Sequence, residues 1–521
     1  MRVLIFHGYL LGGTGSNVYT ARLASALVDL GHEVHLLCQD RHPEDHAFVD
    51  ACGDWDGGER RVGKLRLRTL RRHAPDRSGR CTAYRPNIGS LLPVYVADRY
   101  EGIEARPFAE CTDEEIARYI DANVAAVRDV VARVRPDVAL ANHLVMGPVI
   151  LARGLGGTGL DDAGRLGGEE SAGAGAAGAC GEGAKVPYAV KVHGSALEYT
   201  VKPEPDRFLP YAREGLASAR GVLVGSRHTA ESLWRAVEGA GRGGDDGGSD
   251  DVSWLRARTR LGPPGVDVDR FGPREPGKAA EGLRELIAKL RSTAPTAPEP
   301  ATEGPSAFAR DEQAAAEALE RLRPGEERIV AFVGKLIAAK GVDLLLAAWP
   351  LVLARVPAAR LAIVGFGAER ERLEAAAAPL GERVVFTGRL DHDELAELLP
   401  VCEALIVPST FAEAFGMVAV EGAACGALPI SAAHSGLAEV SDALAQAVPG
   451  EVAPLLSFPV DDLAVQAIAQ RIVAWLEIDP DLRERTRAAL VRVVRERWSW
   501  QGVARGVIAA ARGELEELPP P

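Results

Sequence analysis

The sequence predicts an α/β protein of two doubly wound parallel sheets, and three observations carry that expectation. A strand, a helix and a second strand fall within the first 37 residues, and a second strand–helix series starts at Arg328. Hydrophobic residues make up 47% of the 521-residue chain, enough for two cores, yet no apolar run approaches the roughly 18–20 residues of a membrane span.

Val3-Leu4-Ile5-Phe6 reads as a buried strand. A Gly-rich turn follows, then residues 17–30 carry apolar side chains at helical spacing, Gly31-His32 stops the helix, and residues 33–37 resume as a strand. Further strands are expected at 137–140, 188–192 and 221–224, with helices at 113–134 and 210–219 between them. In the second series the expected strands are 329–333, 361–364, 384–386, 404–407 and 428–431. The helices between them are 342–355, ending before Pro357, then 368–377, 393–399 and 417–425. The expected organisation is a first domain over 1–273, an interdomain segment over 274–327 that is partly disordered, a second domain over 328–485, and a closing helix over 486–521 that crosses back.

Glycine is in excess, 56 of 521, and two tracts account for it: 153–185 holds 12 and 239–251 holds 6. Both are poor in bulky apolar side chains and are expected to be insertions without chemistry. Pro295, Pro298, Pro300 and Pro305 mark a third excursion. A net charge of −13 argues against a general nucleic-acid binder. Seven widely spaced cysteines without a C-x-x-C suggest neither a zinc site nor a disulfide framework. With no leader-like N-terminus, a cytoplasmic protein with reduced thiols is expected.

In such sheets ligands collect where strands end and helices begin. After the strand at 404–407 comes Glu413-Ala414-Phe415-Gly416-Met417-Val418-Ala419-Val420-Glu421. Gly416 opens a helix whose first N–H groups can face an anion, and Glu413 and Glu421 can accept from sugar hydroxyls. A solvated loop carboxylate with an exposed helix carboxylate is the plainer reading. Gly334-Lys335-Leu336 to Lys340-Gly341 follows the first strand of the same half and places two cations at the same edge, suited to phosphate oxygens. Gly365-Phe366-Gly367 lets backbone approach a ligand, although Arg370 stands where a dinucleotide fingerprint needs its third glycine.

Together these motifs resemble those of the retaining glycosyltransferases of family 4, as do Pro264 to Phe271 (P-G-V-D-V-D-R-F), the N-terminal Gly12 to Ser16, Val192-His193-Gly194, Val224 to Ala230 and Trp498-Ser499-Trp500. The resemblance implies the GT-B fold, two facing Rossmann-like domains with a cleft between them. It implies that Glu413 binds the donor sugar, Glu421 the ribose, and Lys335 and Lys340 the diphosphate. Gly13, Gly334, Gly365, Ala414, Phe415, Gly416 and Met417 would give backbone contacts, with base recognition near Arg389 and Leu390. Lys335 stands where the family more often has Arg, so a bidentate fork is lost there. His193 matches the family's active-site histidine; a histidine closing a buried strand is the plainer reading. His193, Glu413 and Lys340 are the expected catalytic set. The donor would be a UDP- or GDP-linked sugar, with no cofactor and no metal; Asp267-Val268-Asp269 reads as a turn and Asp391-His392-Asp393 as a helix cap.

The acceptor side is read from charge. Residues 60–80 carry nine basic residues against Asp76, and within 64–68 the alternation puts the cations on one strand face. Arg66, Arg68 and Arg71 suggest an anionic acceptor, either a small phosphate or carboxylate compound or an anionic membrane surface at the inner face of the membrane, beside a sugar or polyol as the other acceptor classes expected. A solvated basic edge strand explains them equally. Tyr95, Arg99 and His143 are further acceptor candidates. Two alternatives to transfer stand beside it: a GT-B enzyme of other chemistry, such as a phosphorylase or sugar-nucleotide epimerase, and a non-catalytic nucleotide-sugar-binding protein.

Overall fold

The computed structural model describes residues 1–13, 15–56, 63–71, 78–95, 103–156, 186–239, 252–293 and 310–521. They form two compact units. The first holds Met1–Val224, Leu233–Arg260 and Ala504–Pro520, and the second Gly225–Ser232 and Leu261–Val503.

The first unit has eleven strands: β1 (Arg2–Phe6), β2 (Glu33–Leu37), β3 (Ala51–Trp55), β4 (Leu65–Thr69), β5 (Arg80–Arg85), β6 (Leu91–Val94), β7 (Glu104–Pro107), β8 (Val138–Asn142), β9 (Tyr188–Lys191), β10 (Gly221–Val224) and β11 (Thr259–Leu261). Nine make one sheet in the order β11-β10-β9-β8-β1-β2-β5-β3-β4, and β6 pairs with β7 apart from it. The ladders from β10 to β3 are parallel, and β4 closes the edge antiparallel to β3. Helices cover both faces, so central strands such as β8 (Val-Ala-Leu-Ala-Asn) are buried at every position. The helix Asp113–Val134 starts where Thr112 and Glu115 form a reciprocal capping box.

The second unit has six parallel strands: β12 (Arg328–Val333), β13 (Ala359–Val364), β14 (Val384–Gly388), β15 (Ala404–Val407), β16 (Leu428–Ala432) and β17 (Ser457–Phe458), ordered β14-β13-β12-β15-β16-β17. Trp349 and Trp475 are fully buried beside it.

Residues 276–292 correct one expectation. The segment 274–327 is not simply a linker: helices Pro276–Ser292 and Glu312–Glu320 belong to the second unit, with Leu283, Leu286, Leu290, Ala315 and Leu319 in its core. Their spacing is the one-faced apolar pattern of a packed helix. The four prolines that suggested a linker lie at 295–305, outside the described residues. The helix Pro480–Arg497 also stays with the second unit, and the chain rejoins the first at Ala504, after Trp500 opens the helix Trp500–Arg512.

Strand order fixes where chemistry can occur. In the first unit the sheet grows from β1 one way to β2 and the other way to β8; in the second it grows from β12 to β13 and to β15. Loops leaving the carboxyl ends of such a central pair diverge to opposite faces and open a crevice. The tract at 157–185 instead joins the helix Gly147–Leu155 to the amino end of β9, at the opposite edge of the sheet. Among the described residues no helix is long and apolar enough to cross a membrane.

Close helix packing depends on Gly215, where an added Cβ would overlap Pro148 and lie 2.6 Å from the Val149 nitrogen. Gly215→Ala is expected to cost about 1–3 kcal/mol through overpacking, read as a lower urea midpoint. Gly277, with nothing within 4 Å of an added Cβ, should accept Ala with no loss.

Candidate active site

In the second unit the crevice between β12 and β15 is occupied by the two residues the sequence singled out. Lys340 ends a single turn after β12, Glu413 lies in the loop after β15, and the Lys340 ammonium forms an ion pair with Glu413 Oε1. Ser409 Oγ donates to the same oxygen at 2.7 Å. Every hydrogen bond described for this carboxylate falls on Oε1, so Oε2 is the atom presented to a hydroxyl donor.

The following strand holds this loop. After β16, His434 Nε2 donates to the Ser409 carbonyl at 2.8 Å; its Nδ1 then accepts from Ser435 Oγ at 3.1 Å, and Ser435 Oγ accepts from the Glu413 N–H at 2.9 Å. Because a carbonyl only accepts, His434 is in the Nε2–H tautomer. Gly436 N–H donates to the Glu413 carbonyl at 2.9 Å, and a Cβ on Gly436 would lie 2.6 Å from the Ala414 oxygen and 2.7 Å from the Phe415 nitrogen. Ser409, His434 and Ser435 were missed in the sequence, where a lone His-Ser-Gly after a strand is the only signal.

Gly416, at φ 110°, caps the helix Met417–Ala424. Phe415 is buried edge-on to the Trp498 ring. Glu421 is 4% exposed and joined to His392 Nε2 at 2.7 Å, and His392 in turn packs edge-on against Phe271. A carboxylate so enclosed is oriented by its histidine, which the sequence had assigned only to a helix cap. Asp391 does cap that helix, in a capping box with Glu394. Gly334 and Gly365 bring the β12 and β13 loops together, since a Cβ on Gly365, at φ 148°, would overlap the Gly334 carbonyl. Lys335 is half-buried, Arg389 pairs with Asp391 at 3.2 Å, and Leu390 is buried.

In the first unit the corresponding crevice between β1 and β8 gathers uncharged groups. His7 Nε2 lies 2.9 Å from the Leu10 carbonyl and 3.0 Å from Asn17 Oδ1, and Asn17 Nδ2 donates to the Gly12 carbonyl. The Leu10 carbonyl fixes the proton on Nε2, and His7 Nδ1 lies 3.1 Å from Thr20 Oγ1, whose own proton goes to the Ser16 carbonyl at 2.9 Å. Thr20 Oγ1 accepts from Asn142 Nδ2 at 3.1 Å, which turns Asn142 Oδ1 toward His193 Nε2 at 3.2 Å. The polarity of the chain thus places the His193 proton on Nε2 and leaves Nδ1 as the acceptor. Burial drives the His7 pKa down to about 4, and burial with the neighbouring His143, Lys191 and His7 holds His193 well below the usual histidine range. Burial likewise lowers Lys191, 5.4 Å from the centre of the Tyr19 ring, to about 7. Gly13, at φ 92°, lies in the loop after β1.

The acceptor candidates are dispersed. His143, in a left-handed conformation, is 1% exposed beneath Tyr95, Tyr9 and His193, and Tyr95 is 9% exposed with its hydroxyl on the Val145 carbonyl. Neither presents more than a sliver of surface to a ligand, a correction to their expected role as pocket lining. Arg66 and Arg68 do share a face of β4, which is an edge strand. Arg66 pairs with Asp56 at 2.8 Å and Arg68 with Glu44 at 3.8 Å. Arg71 is committed to the carbonyls of Glu44 and His46. Arg99 lies outside the described residues. The six described cysteines are buried and form no disulfide, and the described residues contain no cluster of metal-ligand side chains.

Residues 316–489 match the family model described as glycosyl transferases group 1. A D-inositol 3-phosphate glycosyltransferase of Segniliparus rotundus is 34% identical over 214 residues, 40% of this chain and 44% of that relative, so the match spans under half of either. Among solved structures, sucrose-phosphate synthase from Thermosynechococcus elongatus is similar over 99% of both chains with a TM-score of 0.57 at 20% identity. Anabaena Alr3699/HepE in complex with UDP and glucose is similar over 98% of this chain and 99% of that one, with a TM-score of 0.55 at 14% identity. The fold is GT-B. In each GT-B unit the candidate residues occupy the switch point of the sheet, joined by an ion pair in the second unit and by hydrogen bonds among neutral side chains in the first.

The neutral cluster fixes a pH dependence. Folded His7 stays neutral down to about pH 4, whereas unfolded histidine protonates near 6.5, so its share of stability is present above about pH 6.5 and lost as pH falls toward 4. That share is on the order of 3 kcal/mol. Urea midpoints at pH 7, 5.5 and 4.5 should fall, and His7→Gln should fall less over the same interval.

Proposed function

We propose that this chain is a retaining, metal-independent hexosyltransferase that moves a sugar from a nucleotide diphosphate to an anionic acceptor. The observation that carries the reading is the Lys340–Glu413 pair at the β12–β15 crevice, beside a helix that opens at Gly416. A cation and a helix N-terminus stabilise a diphosphate. The Glu413 carboxylate, held through one oxygen and presenting the other, accepts from sugar hydroxyls. Glu421 with His392 is the candidate ribose partner, Lys335 a second phosphate cation, and Arg389 and Leu390 lie where the base is expected. UDP in the Anabaena structure and the transferase activity named for the Segniliparus relative support a nucleotide-sugar donor and a sugar-phosphate type of acceptor.

In the reaction the bond from the anomeric carbon to the diphosphate oxygen breaks and one to the acceptor oxygen forms on the same face. The acceptor proton passes to the departing phosphate. The chain's contribution is charge stabilisation of the leaving group and positioning. His193, neutral with Nδ1 unprotonated, is the candidate catalytic group of the first unit. Its low pKa keeps the imidazole neutral. A cytoplasmic location fits thiols that form no disulfide. The motif set favours transfer over phosphorolysis, epimerisation or passive binding.

UDP or GDP should raise the melting temperature of the wild type, and loss of that shift with every nucleotide diphosphate would defeat the reading. Lys340→Ala and Glu413→Ala should each lower kcat by about 10²–10³-fold in a donor-by-acceptor screen read by mass spectrometry. Asn142→Ala, which releases His193 Nε2, should lower kcat while leaving the nucleotide-induced shift intact; an unchanged kcat would remove His193 from the catalytic set.

A further inference from the structure

Of the cations that sequence inspection placed on the face of β4, Arg68 joins guanidinium groups from other segments around a hollow elsewhere in the folded unit. At the carboxyl ends of β2, β3 and β5 lies a pocket of about 300 Å³, lined among others by Arg41, Arg85, Asp54, Gln39, Asn87 and Ser90. A smaller hollow of about 30 Å³ shares Arg41, Asp54 and Arg85 with it and adds Arg68 from β4. Three guanidinium groups from three separate chain segments therefore face one place, in a chain whose net charge is −13.

Two of them have an acid at hand, Glu44 lying 3.8 Å from Arg68 and Asp54 pairing with Arg85. Asp54 binds Arg85 through Nε at 2.8 Å, which orients the guanidinium and leaves its two terminal amino groups for a ligand. Asp40, which lines the smaller hollow, accepts from the Leu11 and His42 N–H groups and lies 3.5 Å from His46. Its pKa is held low by these bonds, against the opposing effect of its burial. Among the described residues Arg41 makes no ion pair and no hydrogen bond, so its guanidinium stands in a wall it shares with Asp54 without being bound to it. The rest of the wall suits a hydroxylated body. Gln39 is anchored by its amide to the Pro86 carbonyl at 2.9 Å, which turns its carbonyl oxygen free to accept, and Ile88 and Leu92 give an apolar side. The volume sits at the lower end of the range for small-molecule sites, suited to one sugar-sized ring with one anionic group.

We propose that this pocket binds the phosphate group of a phosphorylated polyol, with Arg41 and Arg85 holding the anion and Arg68 adding to the field. The inference rests on the glycosyltransferase reading and names the acceptor class for it. The phosphate can belong to a soluble ester or to a lipid headgroup, since both present the same group to the same guanidinium pair.

The test measures binding directly. Titration calorimetry of the full chain with D-inositol 3-phosphate, inositol and inorganic phosphate is paired with sedimentation against phosphatidylcholine vesicles carrying phosphatidylinositol or phosphatidylglycerol. The expected result is binding of the soluble ester, or of phosphatidylinositol vesicles in preference to phosphatidylglycerol, at least tenfold tighter than inositol alone. Arg41→Glu and Arg85→Gln should each weaken it at least tenfold and leave the nucleotide-induced rise in melting temperature unchanged. That unchanged rise separates failure of this site from failure of the donor reading. Equal affinity for inositol and its phosphate, equal sedimentation with both anionic lipids and no soluble binding, or undiminished binding by Arg41→Glu would overturn the proposal. Arg41 is exposed, so its variant leaves packing untouched. Circular dichroism confirms the fold of the Arg85 variant.

Discussion

The ion pair between Lys340 and Glu413 is the contact around which the loops at the carboxyl edge of the second unit's sheet are arranged. The two residues are 73 apart in sequence and meet because β12 and β15 are neighbours whose following loops part at the sheet edge. Neither loop is regular, and each is held by its surroundings: Gly341 caps the Lys340 turn in a left-handed conformation that a side chain would strain, and Ser435 and Gly436 clamp the backbone of Glu413. The cation orients the carboxylate before any ligand arrives, so little reorganisation is left for the moment of binding.

The first unit solves the same geometric problem with the opposite electrostatics. Its crevice holds histidines and a lysine whose charged forms are disfavoured by burial, and two backbone carbonyls anchor its hydrogen bonds: that of Leu10 lies 2.9 Å from His7 Nε2, and that of Ser16 takes the Thr20 hydroxyl proton, which leaves Thr20 to accept from Asn142. Inside a protein an unpaired charge is costly, so a neutral network is the arrangement that survives there. Its polarity is inherited from the backbone, which cannot titrate.

The parts of this structure that could be read in the sequence are those whose information is local. The parallel strands announce themselves as short apolar runs, and the helix Val342–Arg355 lies where its periodicity and Pro357 put it. Glu413, Gly416 and Glu421 share one short segment, as do Gly334, Lys335 and Lys340. His434, Ser409, His392, Arg41 and Arg85 were not legible, because each is a solitary polar residue at the end of a strand and acquires its meaning only from another strand's loop. The helix Pro276–Ser292 failed for a different reason: Leu283, Leu286 and Leu290 were visible, but proline-rich sequence beside them outweighed the pattern. Basic residues on β4 were read correctly as a stripe, yet the fold gives Arg71 to backbone carbonyls and brings Arg68 toward residues from other elements.

The edge at which the first glycine-rich tract leaves the sheet has an engineering meaning. The tract departs from the helix Gly147–Leu155 and returns at the amino end of β9, whereas His7, Asn142 and His193 follow the carboxyl ends of β1, β8 and β9. A polypeptide spliced into that connection enters and exits a sheet length away from those side chains. The position is a natural docking port for a fluorescent reporter or a tether, one that lengthens the chain without adding anything to the carboxyl edge of the sheet.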